Sequence, residues 1–170
     1  MSSVHHTGLP IEPLAPDEFR NVLGHFCSGI TVVTAALDGQ TFGMTCQSFF
    51  SVSLDPPLVA FAPSKTSRSY ADIRKAGAFC LNILSEDQQE MCGGFARSGV
   101  DKFAGVGWTE GPTGSPIIDG VLAWVDCTLE AEHEAGDHQL VVGRVVALKA
   151  YDHRPLLYFK GKYRRLELDA

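Results

Sequence analysis

Between Phe49 and Leu54 the chain alternates strictly. Phe50, Val52 and Leu54 fall on one face of an extended strand, with Phe49, Ser51 and Ser53 on the other. Asp55-Pro56-Pro57 ends that strand, because two prolines remove two backbone donors and bias Asp55 away from helical geometry. Leu58-Val59-Ala60-Phe61 follows as an unbroken apolar run, the pattern of a strand buried on both faces. Upstream, Pro16-Asp17-Glu18 has the proline and acidic residues of a helix start. Phe19, Val22, Leu23 and Phe26 recur at helical spacing and give that helix one apolar stripe, ending by Gly29. Ile30 to Ala35 is β-branched and predicts a strand, and Asp38-Gly39 is a hairpin turn into Thr41–Pro63, the stretch around which the chain is organised.

Beyond Pro63 the pattern changes. Ser67 is placed to cap a short helix carrying Tyr70 and Ile73 inward and closed by Gly77. Phe79 to Leu84 reads as a buried strand. Ser85-Glu86-Asp87-Gln88 has capping-box spacing and opens a helix with Met91 and Phe95 on its inner side, weakened by Gly93-Gly94. Residues 101–116 are rich in glycine and proline and predict a long loop. Val121, Ala123, Val125, Cys127 and Leu129 alternate with Leu122, Trp124, Asp126, Thr128 and Glu130 along a strand. Ala135-Gly136-Asp137 turns it, His138 to Ala150 returns, and Leu156 to Phe159 makes a last strand before the basic run 160–165. Strands outnumber helices and several are joined by tight turns. That favours a mainly β, closed or nearly closed antiparallel barrel with a few peripheral helices.

Composition narrows the class. A chain of 170 residues with 45% hydrophobic and 20% charged content is a globular domain able to build a core. The expected division is an extended N-terminal arm, residues 1–15, and one domain, residues 16–170. There is no run of membrane-span length and no signal-peptide pattern at the N-terminus. Five dispersed cysteines without C-x-x-C spacing predict reduced thiols in a cytoplasm, with neither a disulfide framework nor a zinc site. A formal charge of −6 argues against nonspecific nucleic-acid binding.

Two places carry candidate chemistry. Thr45, Gln47, Ser48, Ser51 and Ser53 concentrate small hydroxyls and an amide beside the central strand, a face suited to a polar ligand or to plain solvent. Ser64, Lys65, Thr66, Ser67, Arg68 and Ser69 run into a helix N-terminus, where free backbone donors, hydroxyls and cations suit an anion such as phosphate. Nucleophile motifs are absent, and Cys27 with His25 is read as helix packing. His133, Asp137 and His138 straddle a turn without the spacing of a helical metal site, so no metal is expected. Gly105-Val106-Gly107 lacks the third glycine and the preceding strand of a dinucleotide fingerprint.

The segments SFFSVSLDPPLV, SRSYADI, FCLNIL, DKFAG, GSPIIDG, AWVDCTL, GDHQLVVGRV and RPLLYFKGKY, in that order from about Phe19 to Arg165, resemble the short-chain flavin reductase family. Cys46-Gln47-Ser48-Phe49 is similar to the reductase components of aromatic and steroid-ring degradation, where more typical members carry alanine or serine at the first two positions. The resemblance implies a split antiparallel β-barrel (Greek-key, FMN-binding type) that forms a homodimer and binds FMN or FAD. It implies reduction of that flavin by NADH or NADPH, and delivery to the oxygenase component of a two-component monooxygenase, with no nucleic-acid or membrane partner. It places flavin contacts at Thr45, Cys46, Gln47, Ser48, Ser51, Val52 and Ser53, and at Ser67, Arg68, Ser69, Lys102 and Phe103. The nicotinamide side falls to His138, Phe159, Gly161 and Tyr163. No catalytic acid or base is required, because hydride transfer between two stacked rings depends on positioning. Two other readings share the barrel: a flavin-dependent reductase of another substrate, such as a corrinoid, and a non-enzymatic flavin- or haem-binding module.

Overall fold

The structure is a computed structural model that describes residues 13–167. The expected N-terminal arm therefore lies, for residues 1–12, outside the described residues. Helix α1 (Pro16–Leu23) starts at its proline and ends at Gly24, and is followed by the two-residue strand β1 (Ser28–Gly29). Strands β2 (Thr31–Leu37) and β3 (Gln40–Cys46) form a hairpin, its turn made by Asp38 and Gly39 at φ 51° and 76°. This is the doubly positive backbone that an aspartate–glycine pair accommodates in a right-twisted hairpin. Strands β4 (Phe50–Leu54) and β5 (Pro57–Phe61) flank the proline turn.

Helix α2 (Arg68–Ala76) has the expected signals. The Tyr70 amide donates to Ser67 Oγ at 3.2 Å, and Gly77 closes the helix in the left-handed region. Strand β6 (Ala78–Ile83) leads to the complete capping box of Ser85 and Gln88, a 3₁₀ turn, and helix α3 (Gln89–Ala96). Short strands β7 (Trp108–Glu110) and β8 (Pro116–Ile118) pair with each other. The long hairpin β9 (Ala123–Ala135) and β10 (His138–Ala150) turns where the sequence places it. Strands β11 (Leu156–Phe159) and β12 (Lys162–Arg165) complete the chain, so the basic run becomes a turn and a strand.

Seven strands form one antiparallel sheet in the order β3-β2-β6-β9-β10-β5-β4. The β4–β5 hairpin pairs with β10, across the sheet from its neighbours in sequence, which is a Greek-key connection. One core holds Val33, Cys46, Phe61, Phe79, Leu81, Cys127 and Val141 together with Tyr70 and Ile73 of α2. Residues from both ends of the sheet meet in it, so the sheet curls into a barrel with β3 and β4 as its edges. A second core lies on the outer side of β2, where Ile30, Val32, Leu84, Cys92, Phe95, Ile118 and Leu156 pack under α3 and the β1-β11-β12 sheet. Successive β2 side chains thus enter opposite cores, which explains a strand apolar at nearly every position.

The structure corrects two expectations. The glycine- and proline-rich segment contains the β7–β8 hairpin, because buried polar groups draw it onto the barrel. Asn82 Oδ1 accepts from the Ile118 amide at 2.8 Å, and Thr34 Oγ1 donates to the Pro116 carbonyl at 2.5 Å. Asp126 of β9 is fully buried beside this hairpin; it accepts from the Thr113 amide at 2.8 Å and hydroxyl at 2.6 Å. Both of its carboxyl oxygens are satisfied by that tight turn, as a buried polar group requires. The α1 stripe does not pack inward: Phe19, Val22 and Leu23 are each more than half exposed, as is Phe26 beyond the helix end.

Candidate functional site

A cleft of about 1170 Å³ runs along the β3 edge. One wall is β3 with Gln47 and Ser48. The opposite wall is the segment 62–69 entering α2, with α3, residues 98–102, His138, Tyr158 and Tyr163 around the remainder. Each wall exists for a local reason. Phe95 packs so closely on β3 that a Cβ at Gly43 would lie 2.5 Å from its ring, which brings α3 to the floor of the cleft. Phe103 makes edge contacts with Phe95 at 5.1 Å and Trp108 at 6.2 Å between centroids, seating the 98–102 segment.

The corner at α2 gathers hydrogen-bond donors and a cation. Ser67 caps the Tyr70 amide, and the Ala71 amide bonds the Ser67 carbonyl. The amides of Arg68 and Ser69 then have no partner among the described residues. Lys102 Nζ reaches into this corner, donating to the Gly43 carbonyl and to Ser69 Oγ, each at 2.8 Å. Among the described residues no carboxylate pairs with it. Burial without a countercharge pushes the Lys102 pKa below the ordinary lysine range. A half-buried ammonium with two neutral partners, beside open helix amides, gives strong attraction to a negative group.

The hydroxyls of the facing wall are partly engaged already. Thr45 Oγ1 donates to the Cys92 carbonyl at 2.8 Å. Ser48 Oγ accepts from the Ala62 amide at 2.8 Å and donates to its carbonyl at 3.2 Å, tying the end of β3 to the end of β5. Cys46 Sγ lies 3.1 Å from the same hydroxyl. At the far end His138 Nδ1 is 2.7 Å from Asp137 Oδ1, a contact that lowers the Asp137 pKa. The Lys65 amide donates to the Asp137 carbonyl at 3.0 Å and the Gln139 amide to the Pro63 carbonyl at 2.9 Å. The β9–β10 turn is thereby joined to the segment that leads into α2.

The cleft brings together ten of the sixteen residues to which the resemblance gives a flavin or nicotinamide contact: Thr45, Cys46, Gln47, Ser48, Ser67, Arg68, Ser69, Lys102, His138 and Tyr163. Six stand apart from it. Ser51, Val52 and Ser53 lie on the edge strand β4, Phe103 is a packing residue, Phe159 meets His25, and Gly161 forms the β11–β12 turn at φ 73°. Cys92, Phe95, Asp72 and Tyr158 line the cleft without having been singled out as site residues. For Cys92 and Phe95 the available signal was their shared face on α3, three residues apart; Tyr158 carried only the alternation of its strand.

The profile of the family described as "Flavin reductase like domain" matches residues 23–167. The chain belongs to this family. Its flavin-reductase relatives include the reductase subunit HsaB of a flavin-dependent monooxygenase from Rhodococcus jostii (strain RHA1), 49% identical over 99% of this chain and 88% of that protein. Among solved structures, a nitrilotriacetate monooxygenase component B homologue from Mycobacterium thermoresistibile superposes with a TM-score of 0.86. It is 47% identical, over 89% of this chain and 86% of that one. The NADH:FAD oxidoreductase SgcE6 of Streptomyces globisporus C-1027, solved in complex with NAD and FAD fragments, gives a TM-score of 0.87 at 33% identity. That match covers 94% of this chain and 99% of the other. The fold is therefore the split barrel of the flavin reductases, and the matched span contains every residue of the cleft.

Proposed function

We propose that this chain is an NAD(P)H-dependent flavin reductase, the reductase component of a two-component monooxygenase, acting in the cytoplasm on FMN or FAD. The observation that carries the reading is the anion corner, where an unpaired Lys102 and the open amides of Arg68 and Ser69 face a strand of hydroxyl, amide and thiol groups across one cleft. That donor set fits a flavin: cation, amides and the Ser69 hydroxyl for its phosphate, and Gln47 with the Cys46–Ser48 backbone for the polar edge of its ring. Bound flavin supplies the hydride acceptor, and the nicotinamide the donor. The chain holds the phosphate through Lys102 and α2, orients the two rings between β3 and the His138–Tyr163 side, and excludes water with Phe95 and the 98–102 segment. His138, its Nδ1 engaged by Asp137, would offer Nε2 to the nicotinamide carboxamide. We further propose a homodimer, in which a partner covers the exposed apolar faces of α1 and β4, and one functional domain across residues 16–170.

The test mixes the purified protein with NADH or NADPH and excess FMN or FAD and follows nucleotide oxidation. The expected result is oxidation that requires flavin; no oxidation with any of the four pairs overturns the proposal.

A further inference from the structure

We infer that Cys92 is a positioning residue for hydride transfer, holding the Tyr163 phenol at the nicotinamide side of the cleft through its thiol. The inference rests on the flavin-reductase reading above. Cys92 has no exposed surface, and its neighbours in the second core are apolar, so a small hydrocarbon would satisfy packing alone. Yet hydroxyls from two separate strands converge on its two polar atoms. The Thr45 hydroxyl of β3 donates to its carbonyl at 2.8 Å, and the Tyr163 phenol oxygen of β12 lies 3.4 Å from its sulfur. The sulfur is also 3.9 Å from Thr45 Oγ1, within reach for its own proton. One residue of α3 thus ties together β3, on the flavin side, and β12, on the nicotinamide side.

The hydrogen-bond order follows from the donors. Thr45 spends its proton on the Cys92 carbonyl, so its oxygen is left to accept the thiol proton. The sulfur then accepts the phenol proton. Tyr163 has no other side-chain hydrogen-bond partner among the described residues; its ring packs against the second core and meets the edge of Tyr158, 5.4 Å away between centroids, while the thiol fixes its hydroxyl. The thiol contact and burial push the Tyr163 pKa up to about 12, so the phenol stays neutral. With its proton directed inward, the phenol oxygen presents lone pairs to the cleft, where it suits the amide N–H of a carboxamide.

The test is a mutant cycle on the full-length protein, assayed with NADH and saturating flavin. Cys92→Ala and Tyr163→Phe should each raise the KM for NADH about twofold to tenfold, the worth of one neutral hydrogen bond. Flavin affinity should stay within about twofold. The double variant should be no worse than either single one, and Cys92→Ser should restore most of the loss. Cys92→Val keeps bulk while removing the thiol, and carries the same expectation if the alanine variant does not fold. A wild-type KM in the alanine or valine variant overturns the inference, as do multiplying effects in the double variant or failure of serine to rescue. Wild-type protein that oxidises no NADH with FMN or FAD overturns the parent reading and this inference with it; an active wild type with indifferent Cys92 variants overturns the inference alone.

Discussion

Lys102 shows at the scale of one side chain how this site is held ready. Its ammonium sits part-buried against a carbonyl and a serine hydroxyl, so the protonated form is penalised until an anion arrives. Because its pKa in the folded chain lies below the unfolded one, the proton is lost at a lower pH than in a free lysine. The unfolded chain keeps that proton longer, so Lys102 makes the fold firmer as pH rises through this window. Anion binding runs the opposite way, present while the ammonium is charged and lost as pH climbs. Flavin affinity, measured by fluorescence quenching, should therefore fall on the alkaline side. Lys102→Met should weaken it about tenfold to a hundredfold near neutral pH, the worth of a charge-assisted hydrogen bond, and flatten the alkaline decline. An equal pH slope in wild type and variant would move the phosphate contact away from Lys102. Ser69, which accepts from Lys102, and Ser67, which caps α2, play different parts; removing Ser67 loosens the helix start as well as the site.

At the scale of elements, α3 is seated by a single missing side chain. A Cβ on Gly43 would stand 2.5 and 2.7 Å from two atoms of the Phe95 ring, which is almost wholly buried and would have to shift. Gly43→Ala should destabilise the fold by about 1–3 kcal/mol, the usual cost of overpacking, and shift α3 with the cleft floor it carries. Urea unfolding reads the first effect and the KM for NADH the second; an unchanged midpoint would show that α3 slides without cost. What the sequence made legible follows the same division between local and distant causes. Asp38-Gly39, the Ser67 cap, Gly77 and the Ser85–Gln88 box depend on neighbours within a few residues, and each stands where expected. The β7–β8 hairpin depends on Asn82 and Thr34, far away in sequence, and nothing in a glycine-rich run announces such partners. The burial of Asp126 likewise depends on Thr113, which folds back over it from another strand connection. The gathering of donors at the α2 start was readable because a helix start collects its own donors; the Cys92–Tyr163 contact, spanning α3 to β12, was not.

At the scale of the whole molecule, the described residues leave an apolar surface uncovered. Leu54 is 91% and Phe26 82% exposed, with Phe50, Val52, Phe19, Val22 and Leu23 each roughly half exposed. The α1 stripe and the alternating face of β4 were the clearest amphipathic patterns in the sequence, and both point away from the two cores. A periodic pattern reports that a face is to be buried without naming what buries it. Scattered exposed apolar residues are ordinary, whereas two patterned faces on a helix and an edge strand are the mark of an interface. The edge strand strengthens the argument, since β4 carries no charged residue to deter pairing along its free side. Light scattering at micromolar concentration should therefore give twice the chain mass. A variant combining Phe26→Glu with Leu54→Glu should shift the protein toward monomer, because an interface of the usual size cannot bury charges of one sign without partners at its apolar centre. Flavin affinity and NADH oxidation should drop with the dimer if the partner helps enclose the cleft, and recover when concentration drives reassociation. Wild-type protein that is monomeric yet fully active would remove the dimer from the account and leave these faces to another partner.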